Sequence, residues 1–421
     1  MSFQQGLSGL NATSKNLQVI GNNIANANTF GAKASRAEFG DVYAASLNGA
    51  GTSNIGIGVN LNTVAQQFTQ GNIRTTENPM DLAINGAGFF QVTDGRSPVT
   101  FTRNGQFKVD RNGYVVNNNG QQLMGYMAND MGVIQPGQAV TLRLPTGGVT
   151  PQPTSTIEIE MNLDSRQGAR VPAPPAAAID FNDAETYNNA TSMTVYDAQG
   201  QEVALTYYFQ KAGPNAWNLF ATANGQSVNG TNANPLPLTA VNFPPDGSAP
   251  IVPAGLLTFN VPSTALANGG TTLPITGVQL DLSTATQFGS AFGVTDINQD
   301  GFAAGVLTAT TIESNGVITA RYSNGQSRPA GQIEVSNFRN PQGLQPLGDN
   351  GWGRTFASGD PIVGVPGDGN LGVLQAGALE ESNVDLTGEL VNMITAQRIY
   401  QANAQTIRTQ DEVLQTLVNL R

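Results

Sequence analysis

Apolar positions over Asn383 to Arg421 keep a strict rhythm: Leu386, Met393, Tyr400, Ile407 and Leu414 recur every seven residues, with Leu390, Ala404 and Val418 at the intervening four-residue step. This is the spacing of a coiled-coil seam, and it predicts one long amphipathic helix. Ser382 to Asp385 supplies a capping-box start, and no Gly or Pro follows Gly388. At about 1.5 Å per residue such a helix runs about 58 Å. Gln397 and Asp411 fall on the seam, and polar seam residues select register and partner number at a cost in stability. At the other end Phe3, Leu7, Leu10, Leu17 and Ile24 keep the same 3–4 alternation, widened by Ile20. A second helix is predicted over residues 1 to 28, ended by Asn26, Asn28 and Gly31. Gly6, Gly9, Gly21 and several Asn residues make it marginal on its own. The two ends are therefore expected to pair.

Between them the pattern changes from period 3.6 to period 2. A small, polar loop region from Ala32 to Glu77 contains one alternating stretch, Val59 to Val64, and from Asn78 onward Leu82, Ile84, Phe89, Phe90 and Val92 are strand material. Hairpins are predicted at Phe107 to Val116, Thr194 to Leu205 and Thr311 to Tyr322, each around an Asp- or Asn-containing turn. Pro-rich breaks lie at Pro145 to Pro153 and Arg170 to Ala178. The expected fold is α+β, with long terminal helices forming a coiled-coil-like base and antiparallel β-rich domains nested between them. The expected divisions are a terminal helical domain (1–30 with 380–421), a connector (31–71 with 363–379), a discontinuous β-domain (72–146 with 288–362) and an inserted outer β-domain (147–287).

Composition narrows the chemistry. The 421 residues contain no Cys and no His, which removes thiolate nucleophiles, disulfides, imidazole bases and the commonest zinc ligands. Gly and Pro make up about 17% against a usual ~12%, while charged residues are 12% against ~25%. With 19 basic and 30 acidic residues the net charge is -11 and no basic run occurs, so neither nucleic acid nor an anionic membrane is an expected partner. No apolar run resembles a signal peptide or a membrane span, so neither membrane insertion nor a cleaved leader is expected. Asp296-Ile297-Asn298-Gln299-Asp300-Gly301 opens like a calcium loop, but Leu307 stands where a bidentate Glu belongs, so no metal is expected. Glu380-Glu381 and Asp411-Glu412 read as solvated charge. No catalytic residue and no cofactor site is expected.

The long seam leaves Val391, Ile394, Ile399 and Leu417 on faces that one partner helix does not cover, and neighbouring copies of the chain would cover them. Self-assembly through the terminal helices is the expected use.

At these residues the chain resembles a known family. Ser8 to Ala12, Val19 to Gly31 (with Asn22, Asn23, Asn26, Asn28, Thr29 and Gly31), Ser382 to Leu386, Glu389 to Ile394 and Tyr400 to Ile407 resemble the bacterial flagellar rod and hook proteins. Asp81 to Gly86, Gly88 to Phe90, Arg103 to Phe107 and Gly377 to Glu380 resemble the hook members in particular. Ala32 departs from the motif, which usually has an aromatic before Lys33. The resemblance implies a non-enzymatic hook subunit that leaves the cell unfolded through the flagellar type III export apparatus, without a cleaved signal peptide. It further implies polymerisation into a curved hollow tube, a universal joint carrying motor torque to the filament. Its implied partners are itself, the rod, the hook cap and the hook–filament junction proteins. A distal-rod protein of the same family and a secreted β-rich adhesin or glycan-binding protein are the alternatives.

Overall fold

The computed structural model describes residues 2–42, 56, 58–129, 132–172, 178–266 and 269–419. Parts of the Ala32 to Glu77 loop and of the second Pro-rich break lie outside the described residues. The chain forms two compact units, one from Met1–Thr146, Ala309–Arg321 and Ser327–Arg421, the other from Gly147–Thr308 and Tyr322–Gln326. It is an α+β protein with a helix at each end and mainly antiparallel β-structure between, Thr156–Asn162 and Ile275–Asp281 pairing in parallel.

In the first unit α1 (Ser2–Ala25) packs on α2 (Leu386–Asn419) and on a hairpin of β1 (Ser35–Val42) and β2 (Gly58–Gln66). The cap of α2 is Asp385, whose Oδ1 accepts the Thr387 amide at 3.0 Å, satisfying one of the free N–H groups of the first turn. Strand Phe89–Thr93 lies between Thr100–Thr102 and Gln122–Met127, and the predicted hairpin at 107–116 forms with Val109 opposite Val115. Leu82, Phe90, Val92, Leu123, Ile333 and Val335 fill the core below. A second cluster of Phe89, Phe101, Phe338 and Trp352 stacks edge to face. The segment returning to α2 runs beside the one leaving α1: Ile73–Thr75 pairs with Ala378–Glu380, and Leu82–Asn85 with Val373–Ala376.

The second unit places a sheet of Leu257–Val261, Ile275–Asp281, Thr156–Asn162 and Gly293–Gln299 and a sheet built on Asn189–Tyr196, Glu202–Lys211 and Ala216–Ala223 around one core. Thr156–Asn162 alternates buried and exposed positions along its length, as a half-buried strand should. The predicted hairpin at 194–205 forms, with Tyr196 opposite Glu202. Asp296 to Gln299 belong to a strand paired with Thr156–Asn162, and the Asp300 carboxylate accepts the Ser155 and Thr156 amides. The calcium-loop resemblance is thus spent on strand pairing and a turn.

Candidate functional site

The terminal helices run antiparallel. Gly6 lies against Ile407, Gly9 against Asn403, and the Asn23 Nδ2 donates to Glu389 Oε1 at 3.1 Å. A methyl group at Gly9 would sit 2.9 Å from Asn403 Nδ2, and one at Gly6 would sit 3.0 Å from Ile407 Cγ1. Glycine is needed there because the helices approach closely, so Gly6 and Gly9, which weaken α1 in isolation, are residues that let it pack, whereas Gly21 has nothing within 4 Å of its Cβ position.

Close approach turns each helix relative to the apolar seam. Gly6, Thr13, Ile20 and Asn23 are buried on α1 and Ala396 on α2. Leu10, Leu17, Ile24, Met393 and Ile407 are half-buried, whereas Phe3, Leu7, Leu386, Leu390, Tyr400, Leu414 and Val418 are exposed. Val391, Ile394 and Ile399 are exposed as well, at 58%, 52% and 49%. One chain therefore buries a small, partly polar strip and leaves most of its large apolar side chains uncovered. Beyond Ile407, which faces Gly6, α2 runs on to Asn419, and Asp411 to Thr416 are all exposed.

Of the family-motif residues, Asn23 is buried: its Oδ1 accepts the Ser35 amide and its Nδ2 donates to the Ser35 carbonyl, both at 2.8 Å. It ties α1 to β1 and, through Glu389, to α2. Asn22, Asn28 and Thr29 are exposed and Asn26 is half-buried. Asn26 donates to the Asn22 carbonyl at 3.0 Å and accepts from the Thr29 hydroxyl through its own carbonyl at 2.8 Å, closing the helix end. Gly31 has φ +71, and a Cβ there would lie 2.5 Å from the Asn104 nitrogen; no L side chain fits.

The Gly31 amide donates to the Glu380 carbonyl at 2.8 Å, at a buried ionic knot that the sequence reading missed. Glu380 Oε1 accepts from Lys33 Nζ at 2.6 Å and from the Gly71 amide at 2.9 Å, and its Oε2 accepts from Arg103 Nη1 at 3.0 Å. Lys33 also donates to the Thr69 carbonyl, and Arg103 to the carbonyls of Gly86 and, more weakly, Ile84. The Glu380 side chain is 0% exposed, so it is no solvated charge; its neighbour Glu381 is the exposed one. Burial pulls the Lys33 ammonium below its ordinary value while Glu380 pulls it back up, and burial likewise lowers Arg103. Asn383 adds a neutral clasp, accepting the Ala34 amide at 2.7 Å and donating to Gln67 and Thr69. Both helices are thereby rooted in the β-structure of the unit. Among the described residues no His/Cys/Asp/Glu group is placed to hold a metal, and no helix is long and apolar enough to cross a membrane.

Four family descriptions match the chain in order: "Flagella basal body rod protein" at residues 3–33, "Flagellar hook protein FlgE/F/G D1 domain" at 83–200, "Flagellar basal body protein FlaE D2 domain" at 162–302 and "Flagellar basal body rod FlgEFG protein C-terminal" at 375–420. The flagellar hook protein FlgE of Salmonella typhimurium is 39% identical over 434 residues, covering all of both chains. That of Escherichia coli is 39% identical over 423 residues with the same coverage, and that of Borreliella burgdorferi is 34% identical over 100% of this chain and 99% of its own. The crystal structure of Helicobacter pylori flagellar hook protein FlgE2 shares the fold at a TM-score of 0.53 and 15% identity, covering 73% of this chain and 99% of that one.

Proposed function

The chain belongs to the flagellar hook protein family and is a structural subunit of the hook; on that premise we propose that it polymerises through its paired terminal helices into a curved hollow tube acting as a universal joint between motor and filament. The observation that carries this reading is the uncovered apolar surface of α2, from Leu386, Leu390, Val391 and Ile394 to Val413, Leu414 and Val418. A helix exposed on several apolar faces needs other helices around it, and in a homopolymer those are the helices of neighbouring copies. Phe3, Leu7, Leu10, Leu17, Ile24, Met393, Tyr400 and Ile407 belong to the same assembly surface. The knot of Lys33, Arg103 and Glu380 then passes torque from the helical base into the β-structure, with 147–287 as the inserted outer β-domain. The low charge of the chain suits repeated sliding of outer surfaces, since ion pairs made and broken on each turn would cost desolvation each time.

The reading also takes in export by the flagellar type III apparatus without a cleaved signal peptide, an extracellular location, no enzymatic activity, and contact with rod, hook cap and junction proteins. Alignment with hook proteins over the full length favours the hook over the distal rod or an adhesin. The test is sedimentation of the purified chain under salting-out conditions beside Ile394→Glu. The parent should pellet as polymer and the variant should remain monomeric with unchanged circular dichroism. Equal pelleting would count against assembly through this face.

A further inference from the structure

The described residues contain nine Asn-Gly pairs, beginning at Asn85, Asn104, Asn112, Asn119, Asn224, Asn229, Asn315, Asn324 and Asn350. At such a pair the glycine amide nitrogen can attack the preceding side-chain amide, because no Cβ crowds its approach. Reaction in a folded chain needs an amide side chain free to turn and a backbone free to follow it. Seven of the nine lack that freedom. Asn224 accepts the Ala204 amide and donates to Thr264, and Asn324 accepts the Gln326 amide and donates to the Ala303 carbonyl. Asn315 accepts the Val317 amide, Asn104 the Gln106 amide and Asn85 the Gln70 side chain. Asn229 donates to the Pro237 carbonyl and Asn350 to the Phe30 carbonyl.

Asn112 and Asn119 remain, and their glycines differ. At Gly113 the Cβ position lies 2.5 Å from the Leu144 carbonyl, and the Asn112 carbonyl is held by Arg143 at 2.8 Å, so that backbone is boxed in. Gly120, at φ +79, has nothing within 4 Å of its Cβ position, and Asn119 is exposed at the hairpin tip. One turn bond, from the Gly120 amide to the Asn117 carbonyl at 3.1 Å, is all that the glycine nitrogen must give up.

We propose that Asn119 is a site of spontaneous deamidation, the first to react among these pairs. The Gly120 nitrogen bonds to Asn119 Cγ as the Cγ–Nδ2 bond breaks. Nδ2 leaves as ammonia, taking up the proton shed by the Gly120 nitrogen, and a succinimide ring remains. Water then opens the ring at either carbonyl to give aspartate or isoaspartate, with no change of oxidation state. The new carboxylate enters a polar pocket that already contains Asp349, beside Asn28, Asn104 and Gln106. The isoaspartyl product also lengthens the backbone in a turn fixed by the bonds from the Asn119 and Gln121 amides to Asn117 Oδ1. An exported subunit that is not replaced would accumulate this change with age.

The experiment is to age the full folded chain in mildly alkaline buffer and map isoaspartate by peptide mass spectrometry and enzymatic methyl transfer. The same chain in denaturant, where every clamp is released, is the reference. Asn119 should lead in the folded chain, roughly tenfold ahead of Asn224 and Asn324, which hydrogen bonds hold. The rates of the sites should converge in denaturant, and Asn119→Ser should remove the leading product. Equal rates in the folded chain, or another of the nine pairs leading, would overturn the proposal, as would an Asn119 that reacts in denaturant and stays intact when folded.

Discussion

Replacing Glu380 by Ala removes the carboxylate that two buried cations share. Lys33 Nζ keeps the Thr69 carbonyl at 2.8 Å, Arg103 keeps Gly86 at 2.8 Å and a stretched contact to Ile84 at 3.4 Å, and the Gly71 amide loses its acceptor. Breaking a buried pair from one side costs about 3–5 kcal/mol, because the remaining charge is left uncompensated. Lys33 has an escape that Arg103 lacks. Burial already draws its ammonium below the ordinary value, so it sheds its proton more readily than a free lysine, and the loss should shrink as pH rises from neutrality. Adding Lys33→Met to Glu380→Ala removes one orphaned cation, so the double variant should lose less than the sum of the singles. One tryptophan lies in each compact unit, Trp217 in the second and Trp352 in the first. Urea unfolding followed by Trp352 emission in a Trp217→Phe background therefore reports on the unit containing the knot. A Glu380→Ala chain unfolding within about 1 kcal/mol of its parent would refute the reasoning, since the expected loss is several-fold larger.

Glu334 is buried and accepts from Tyr126 at 2.9 Å and Gln91 at 3.1 Å, with no cation paired to it among the described residues. Burial holds its carboxyl above the usual range against the opposing Tyr126 hydrogen bond, so the folded chain binds this proton more readily than the unfolded chain. Its contribution is thus most favourable at low pH and is lost as pH rises through the folded-state value. Glu334→Gln should add about 1 kcal/mol at pH 7 and progressively less as pH falls toward 4, read from urea midpoints. The Tyr207 hydroxyl is buried with no hydrogen-bond partner among the described residues, and burial pushes it well above its ordinary value. Tyr207→Phe should leave stability equal or raised by about 1 kcal/mol in calorimetry, whereas a loss larger than that would mean the hydroxyl is satisfied.

The two helices, the three tight hairpins and the α+β class were legible because each is written in local periodicity and turn chemistry. Lys108 to Val116 and Tyr196 to Glu202 needed only an Asp-containing turn between alternating strands. The ionic knot was not legible in the same way, since Lys33 and Glu380 are separated by 347 positions and Arg103 and Glu380 by 277. Two adjacent glutamates at 380 and 381 look alike in sequence; strand pairing with Ile73–Thr75 sends one inward and the other to solvent. The seam shows a subtler limit. Heptads identify the apolar stripe of α2, but the strip it presents to α1 includes Asn403 and Ile407, which Gly9 and Gly6 of the other helix admit, while Leu390 and Leu414 stay outward. The signal present all along was the density of Gly and Asn on α1, which weakens a lone helix and fits a closely packed one.

Assembly through the terminal helices is tested most directly by electron microscopy of the full chain under salting-out conditions, beside a chain ended at Gln410. That truncation removes the α2 segment beyond α1, with Val413, Leu414 and Val418, and keeps the Gly6–Ile407 and Gly9–Asn403 contacts. The account predicts tubes from the full chain and folded monomers from the truncated one. Tubes of the same diameter from both would contradict it.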